Sequence, residues 1–431
     1  MPWKVSVSLL MLPFWAMAAP PQPSGQAYAV NDLIQTAVER NRELLAMRQR
    51  AVEARGLLRQ AGVRPASSLQ FGGATGRPLG SPGKEEYSAE YSQPIETGGK
   101  RDKRLQVAEK GVGLAEAELA DRTLRLATEI KLRYLDAVTD EARLAALDRL
   151  IGTYRESLKL LEARVREGDA APLDGQLLLV EVSRAEAQKR TVAGRIQVAL
   201  SDLRRLCGFG AAEPLVLAGV ARRDGNLAST LTDLQRQAVE LRPDLRSAKL
   251  EEERGAAEVN LTEAQGRPDV TLSAQYALRN ERIGDLYGST ASGQPAPLKD
   301  RDNILSFGVS IPLLTRRRNL GNIEAAAARA AGSRTLRQHL EASIPLEVQA
   351  AWQHWDAAAQ SLNILDSGVL RQSEKNLDVI RQAYALGQLR LLDVLNEQRR
   401  LIDTQMAYID AESDVRRGFI ELERAVGGDL K

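Results

Sequence analysis

The sequence is short of the side chains that carry chemistry. Its single cysteine, Cys207, excludes an internal disulfide or a thiolate metal cluster within one chain. Two histidines, His339 and His354, exclude a multi-histidine site. Phe, Trp and Tyr make up 4% of residues, too few for the core of an ordinary globular protein of this length. A net charge of +2 over 431 residues gives no field that would select nucleic acid or anionic lipid. Beyond the first twenty residues no segment approaches 18 consecutive apolar residues, so a transmembrane helix is excluded there. A chain of this kind crosses a membrane only with strands.

What is present is Ala, Leu, Glu, Arg and Gln in abundance, the composition of long helices and coiled coils. The N-terminus is different material. Lys4 precedes an uncharged run over 5–19 that contains the small-residue site Ala16-Met17-Ala18. This pattern predicts a secretory leader cleaved after Ala18.

The remainder repeats. Ala37-Val38-Glu39 matches Ala238-Val239-Glu240, and Arg64-Pro65 matches Arg267-Pro268. Gly168 with Leu173-Asp174 matches Gly387 with Leu392-Asp393. The expected division is a leader at 1–18, a linker at 19–30, a first repeat at 31–207 and a connector at 208–230. A second repeat at 231–427 and a tail at 428–431 complete it.

Each repeat reads as helix, strand, loop, strand, long helix, turn, returning helix. The opening helices are expected at 31–61, with Asn31 as cap, and at 232–265. Alternation marks the strands: Val270, Leu272, Ala274, Tyr276 and Leu278; Leu305, Phe307, Val309, Ile311 and Leu313; and more weakly Tyr87 to Ile95 and Leu69 with Phe71. Such alternation fits barrel strands with one face in lipid. The hairpin loops are expected at 76–86 and 280–302. Long helices follow at 100–166 and 319–386, the second kinked or interrupted at Pro345. Leu105, Ala108, Val112, Ala115, Leu119 and Leu126 hold a seven-residue spacing, so these helices pack side by side. Returning helices run over 173–206 and 389–426 and, added to the opening helices, equal one long helix in length.

Several strings give this plan a family likeness: Leu241-Arg242-Pro243-Asp244-Leu245, Asn41-Arg42-Glu43-Leu44, and Tyr384-Ala385-Leu386-Gly387 followed by Leu391-Leu392-Asp393-Val394-Leu395. With the two repeats they resemble the TolC family of outer-membrane efflux proteins over nearly all of 31–427. The string from Gln93 to Arg101 resembles the CzcC-like heavy-metal branch. The resemblance implies a mainly α chain whose tandem repeats build an α-helical barrel. Its four strands would be one third of a twelve-stranded outer-membrane β-barrel in a homotrimer. It also implies a place in the outer membrane of a Gram-negative bacterium, extending into the periplasm. The implied role is the exit duct of a tripartite RND-type efflux system, joined through a periplasmic adaptor to an inner-membrane pump and exporting cations such as cobalt, zinc and cadmium. A duct for drugs or secreted proteins, and a soluble coiled-coil adaptor, are the alternatives.

A duct needs no catalytic residue, cofactor or resident metal, and none is expected. A lipase-type triad lacks support because neither histidine lies near a nucleophile elbow. The resemblance places gate residues at Asp393, Asp174 and Tyr384, with Asn396 where relatives carry a second carboxylate. It places adaptor docking at Arg164, Val165, Gly168, Gly387 and Leu391. For Asp174 and Asp393 helix capping stands equally beside gating, and both glycines fit left-handed helix ends. Trp352, His354 and Trp355 read as packing residues at helical spacing. The basic runs 100–104 and 316–318 read as membrane-edge residues, without the interleaved aromatics of a nucleic-acid site.

Overall fold

A computed structural model of the chain describes residues 27–79, 84–168, 171–219, 229–313 and 315–430. The expected leader lies outside the described residues.

Two short helices open each repeat where the sequence pattern predicts one. In the first, α1 (Val30–Arg40) and α2 (Arg42–Ala61) are separated by Asn41 in an extended conformation. The side-chain oxygen of Asn41 accepts from the N–H groups of Glu43 at 2.9 Å and Leu44 at 3.0 Å, so the break leaves no donor stranded. Asn31 is therefore not the cap. The chain enters α1 at Val30, and the Ala29 N–H donates to the Asp32 carboxylate at 3.0 Å. The β1 strand (Ser68–Thr75), a single helical turn (Arg77–Leu79) and β2 (Glu85–Ile95) follow. Then come α3 (Lys100–Glu167) and the returning α4 (Pro172–Cys207). The 68 residues of α3 run ~100 Å at 1.5 Å per residue.

The second repeat opens with α5 (Leu231–Leu241) and α6 (Pro243–Gln265), broken at Arg242. The cause is Pro243, which disfavours a helical conformation for the residue before it. β3 (Val270–Ser289) and β4 (Pro295–Ser310) extend far into the region read as loop, leaving a tight turn over 290–294 in which Gly293 has a φ of 73°. A ladder needs paired backbone rather than apolar alternation, and Arg279 faces Asp302 across it. A one-turn α7 (Thr315–Arg318) leads into α8 (Leu320–Ile364), followed by a wider turn (Leu365–Val369), α9 (Leu370–Ala385) and α10 (Leu391–Val426).

Pro345 does not interrupt α8 as expected. Ile344 and Val348, both fully buried, pin that segment against Leu234, Ala238 and Leu422. Packing there offsets the ~3 kcal/mol cost of a mid-helix proline. The interruption falls instead at Gly368, whose φ of 127° is open only to glycine.

The four strands form one antiparallel sheet in the order β1-β2-β3-β4. Register puts Leu69 opposite Tyr91, Tyr91 opposite Ala274 and Ala274 opposite Phe307. Tyr276 likewise faces Leu305, and Leu272 faces Val309. All of these residues therefore share one face, and Leu69, Phe71, Tyr91, Leu272, Tyr276, Leu305, Phe307 and Val309 on it are exposed. Ser68, Ser92, Ser273 and Ser310 belong to the other face.

The helices form a curved wall one helix thick. α3 packs against α4 and α2 on one side and against α10 and α6 on the other, and α10 and α6 pack in turn on α8. The wall is thus four rods: α2 with α4, then α3, then α6 with α10, then α8 with α9. Two stacking points close it. The Asn41 amide donates to the Leu206 carbonyl at 2.8 Å, and Gly208 (φ 76°) ends α4 against Arg40. In the second repeat Gly427 (φ 96°) ends α10 against Arg242, whose guanidinium bonds Asp244 at 2.5 Å and Glu347 at 2.6 Å. Burial raises the Asp244 pKa, but the Arg242 guanidinium outweighs it and holds the carboxyl below its ordinary value. Part of the connector folds onto the first stacking point: Tyr28 pairs with Leu217, and Tyr134 donates its hydroxyl to the Ala218 carbonyl.

A Cβ on Gly208 would lie 2.8 Å from the Arg40 carbonyl oxygen and force a positive φ on an L residue. Gly208→Ala is expected to destabilise the first repeat by about 2–4 kcal/mol. Gly152→Ala, in open space within α3, is expected to stabilise by ~0.5–1 kcal/mol. Thermal melts of the purified protein check the contrast.

Candidate functional site: the paired helix tips

Both helix hairpins turn on a left-handed glycine. Gly168 (φ 82°) donates its N–H to the Val165 carbonyl at 3.2 Å, and Gly387 (φ 74°) donates to the Tyr384 carbonyl at 3.0 Å. The two aspartates then occupy the same position, the third residue of the returning helix. Asp393 accepts the Arg390 N–H at 3.0 Å, which is a cap. Asp174 follows Pro172 in the first turn of α4, where the helix dipole favours a carboxylate.

The two hairpins meet. Tyr154, Leu161 and Leu178 with Val182 from the first pack against Leu391 and Leu395 from the second, with Val165 and Tyr384 at the margin. The Arg164 guanidinium lies 5.8 Å from the centre of the Tyr384 ring, a cation–π distance. Arg399 reaches across to Glu181 at 2.5 Å, and Arg155 pairs with Glu186 within the first hairpin. Burial, aided by the charge of Glu181, raises the pKa of the Tyr154 hydroxyl, which stays neutral.

The structure therefore gathers Arg164, Val165, Tyr384 and Leu391 at one contact between the hairpins. Gly168 and Gly387 shape the turns. Asp393 and Asn396 lie on the exposed side of α10, and Asp174 is half-buried on α4. Sequence reasoning missed the Glu181–Arg399 pair and the break at Gly368. A trace of the first was available, since Leu178 with Val182 and Leu391 with Leu395 are four apart and mark the facing stripes. The second was a lone glycine in a helical pattern, a signal that usually means little.

The basic run opening α3 is a staple between strands and helices. Lys100, 7% exposed, donates to the Arg267 carbonyl at 2.8 Å and to Asp269 at 2.7 Å. Arg104 pairs with Glu96, and Lys103 donates to the Asn260 carbonyl at 3.0 Å. Trp352 packs against the second-repeat core, and Gly418 abuts the Trp355 backbone. A cavity of about 630 Å³ between α3, α4 and α10 is lined by charges that pair among themselves, including Asp140 with Arg143 and Arg195. Among the described residues no three His, Cys, Asp or Glu side chains converge to hold a metal ion, and no helix is long and apolar enough to cross a membrane.

Comparison with known proteins gives this geometry a context. The sequence model of a family described as outer membrane efflux protein matches residues 33–209 and 234–428. The cobalt-zinc-cadmium resistance protein CzcC of Cupriavidus metallidurans is 22% identical over 340 residues, covering 79% of this chain and 77% of its own length. The nickel-cobalt-cadmium resistance protein NccC of Alcaligenes xylosoxydans xylosoxydans is 29% identical over 237 residues, about half of each chain (52% and 51%). The crystal structure of the outer membrane protein VceC of Vibrio cholerae superposes with a TM-score of 0.73 at 21% identity, covering 93% of this chain and 97% of that one.

Leu178, fully buried where the hairpins meet, is expected to matter more than the charged pair beside it. Leu178→Ala should cost about 2–4 kcal/mol of local stability, and Arg399→Ala at most about 1 kcal/mol. Hydrogen exchange of the tip amides compares the two.

Proposed function

The chain belongs to the outer membrane efflux protein family, and from that premise we propose that it is the exit duct of a tripartite RND-type pump exporting divalent heavy-metal cations. Efflux across the outer membrane through a trimeric barrel-channel fold is the family's work. The finer reading adds the adaptor, the inner-membrane pump and the cargo.

The observation that carries the duct is the sheet. One face presents Leu69, Phe71, Tyr91, Tyr276, Leu305 and Phe307 outward, and among the described residues nothing pairs with the outer edges of β1 and β4. Three copies would pair β4 of one with β1 of the next and close a twelve-stranded barrel, with its apolar face in lipid. The same operation would close the helical wall into a tube, with six hairpin tips at its far end. An adaptor of the periplasm would meet these tips at Arg164, Val165, Gly168 and Gly387, while Leu391, expected among them, is buried between the hairpins and would support the surface from beneath. The metal cargo is supported by CzcC and NccC, whose names record resistance to cobalt and cadmium and, respectively, to zinc and nickel. The cargo would be chosen upstream, and the duct would conduct it.

At the tip Asp393 would contribute one carboxylate per subunit to a ring at the entrance, with Asp174 behind it, Asn396 alongside it and Tyr384 tethering the hairpins. A ring of three carboxylates attracts cations and is costly to narrow while all three stay charged. Asp393→Ala is expected to change single-channel conductance, and to weaken block by divalent cations, on the order of threefold in planar bilayers. An unchanged record would remove Asp393 from the gate. Cargo is tested separately, by whether the gene restores zinc, cobalt or cadmium tolerance to a strain deprived of its own duct; restored tolerance to organic solvents or drugs alone would favour the other cargo class.

A further inference from the structure

The exposed side of α10 near its turn carries a cation as well as the carboxylate. Asp393, Asn396 and Arg400 are exposed there, while Val394, Leu395, Glu397 and Gln398 between them are buried. At about 100° per residue these three and Asp403 lie within an arc of roughly 80°. The two neighbouring arginines differ in what holds them. Arg399 is drawn across to Glu181 on the first hairpin at 2.5 Å. Arg400 is 78% exposed and touches the buried Glu397 at 3.3 Å. Asp403 lies on the flank of the arc, near enough to Tyr154 for its charge to act on that hydroxyl.

We propose that Arg400 sets the charge selectivity of the entrance. The inference rests on the duct reading above, in which the side of α10 bearing Asp393 faces the passage. Arg400 follows Asp393 by seven residues, about 10 Å further from the turn and close to one Debye length at physiological salt. Three subunits would then present a negative ring at the mouth and a positive ring one step inside. A cation drawn by the first meets a barrier at the second, and a divalent cation feels it twice as strongly as a monovalent one. An anion, or a cation carried within an anionic complex, meets the opposite profile. Asn396 between them is uncharged, and the carboxylate that Arg400 meets, Glu397 at 3.3 Å, is buried away from the exposed arc, while Asp403 lies a turn beyond. The side chain of Arg400 is exposed but pairs with the buried Glu397, so assembly of each variant is checked alongside its conductance.

The experiment uses the full-length protein in planar bilayers under a salt gradient, where the reversal potential gives the ratio of potassium to chloride permeability. Arg400→Gln should raise that ratio on the order of threefold, and Arg400→Glu should raise it further. Asp393→Asn should lower it. A wild-type ratio in both Arg400 variants, with a shift in Asp393→Asn, would overturn the role of Arg400 and leave the duct standing. Wild-type protein that inserts no channels would overturn the duct reading and the selectivity role with it. Migration of each variant as the wild-type oligomer on a native gel establishes that a changed ratio reports the pore rather than misassembly.

Discussion

Unpaired backbone is the constraint on which this structure turns. Among the described residues the four-stranded sheet has no neighbour on one side of β1 and one side of β4, while its apolar face commits it to hydrocarbon. In a bilayer each unsatisfied N–H or C=O costs several kcal/mol, so an open sheet cannot stay there. The helical wall has the same defect. Its rods run in one arc, and the outermost, α8 with α9, buries only Ala326, Ile344, Val348 and Leu377. Strands and helices are joined by short connections braced by Lys100 and Asp269 and by Arg104 and Glu96. One closure therefore satisfies both layers, and neither layer can close without the other.

The two repeats solve one mechanical problem with different side chains. Each must stack a short helix on the end of another beside an unbroken rod. The first repeat uses a small amide, Asn41, which caps one helix and donates to the carbonyl end of the next. The second uses Arg242, whose guanidinium spans Asp244, Glu347 and the Ala425 carbonyl. Both rely on a glycine at the abutting end, because a Cβ at Gly208 or Gly427 would press on the backbone of the break itself. The shared element is the backbone geometry. The side chains around it were free to differ, which is why the sequence match between the halves is faint at this point.

Most of the fold was legible because it depends on period. Seven-residue spacing located α3 within a residue or two, and alternation located the cores of β3 and β4. The misreadings fall where a local rule met a tertiary one. Pro345 reads as a break, yet burial of Ile344 and Val348 holds the helix through it. Gly368 reads as tolerable, yet it is where the helix gives way. The strand ends beyond Asn280 hold no sustained apolar alternation, and a ladder joins backbone groups whatever its side chains. At the tip, Gly168, Gly387 and the aspartates were legible from turn chemistry. The Arg164–Tyr384 and Arg399–Glu181 contacts were not, since they join helices more than two hundred residues apart and the apolar stripes beside them mark facing sides without naming the partners.

The shortage of aromatics follows from the same architecture. A wall one helix thick with water on both sides has no centre to fill, and its apolar side chains collect into three separate clusters. Two of them sit at the stacking points, where helix ends, connector and neighbouring rod converge. The third, at the tip, has six buried members against seventeen in the first. Local stability follows the density of buried apolar contact, so the end of the wall that reaches furthest from the sheet is also the end held most weakly. The break at Gly368 adds to this in one hairpin alone, for α3 passes the corresponding level unbroken. A wall stiff at its middle and loose at its tip concentrates conformational freedom beside Tyr384 and Asp393, away from the stacking points that hold the rest together.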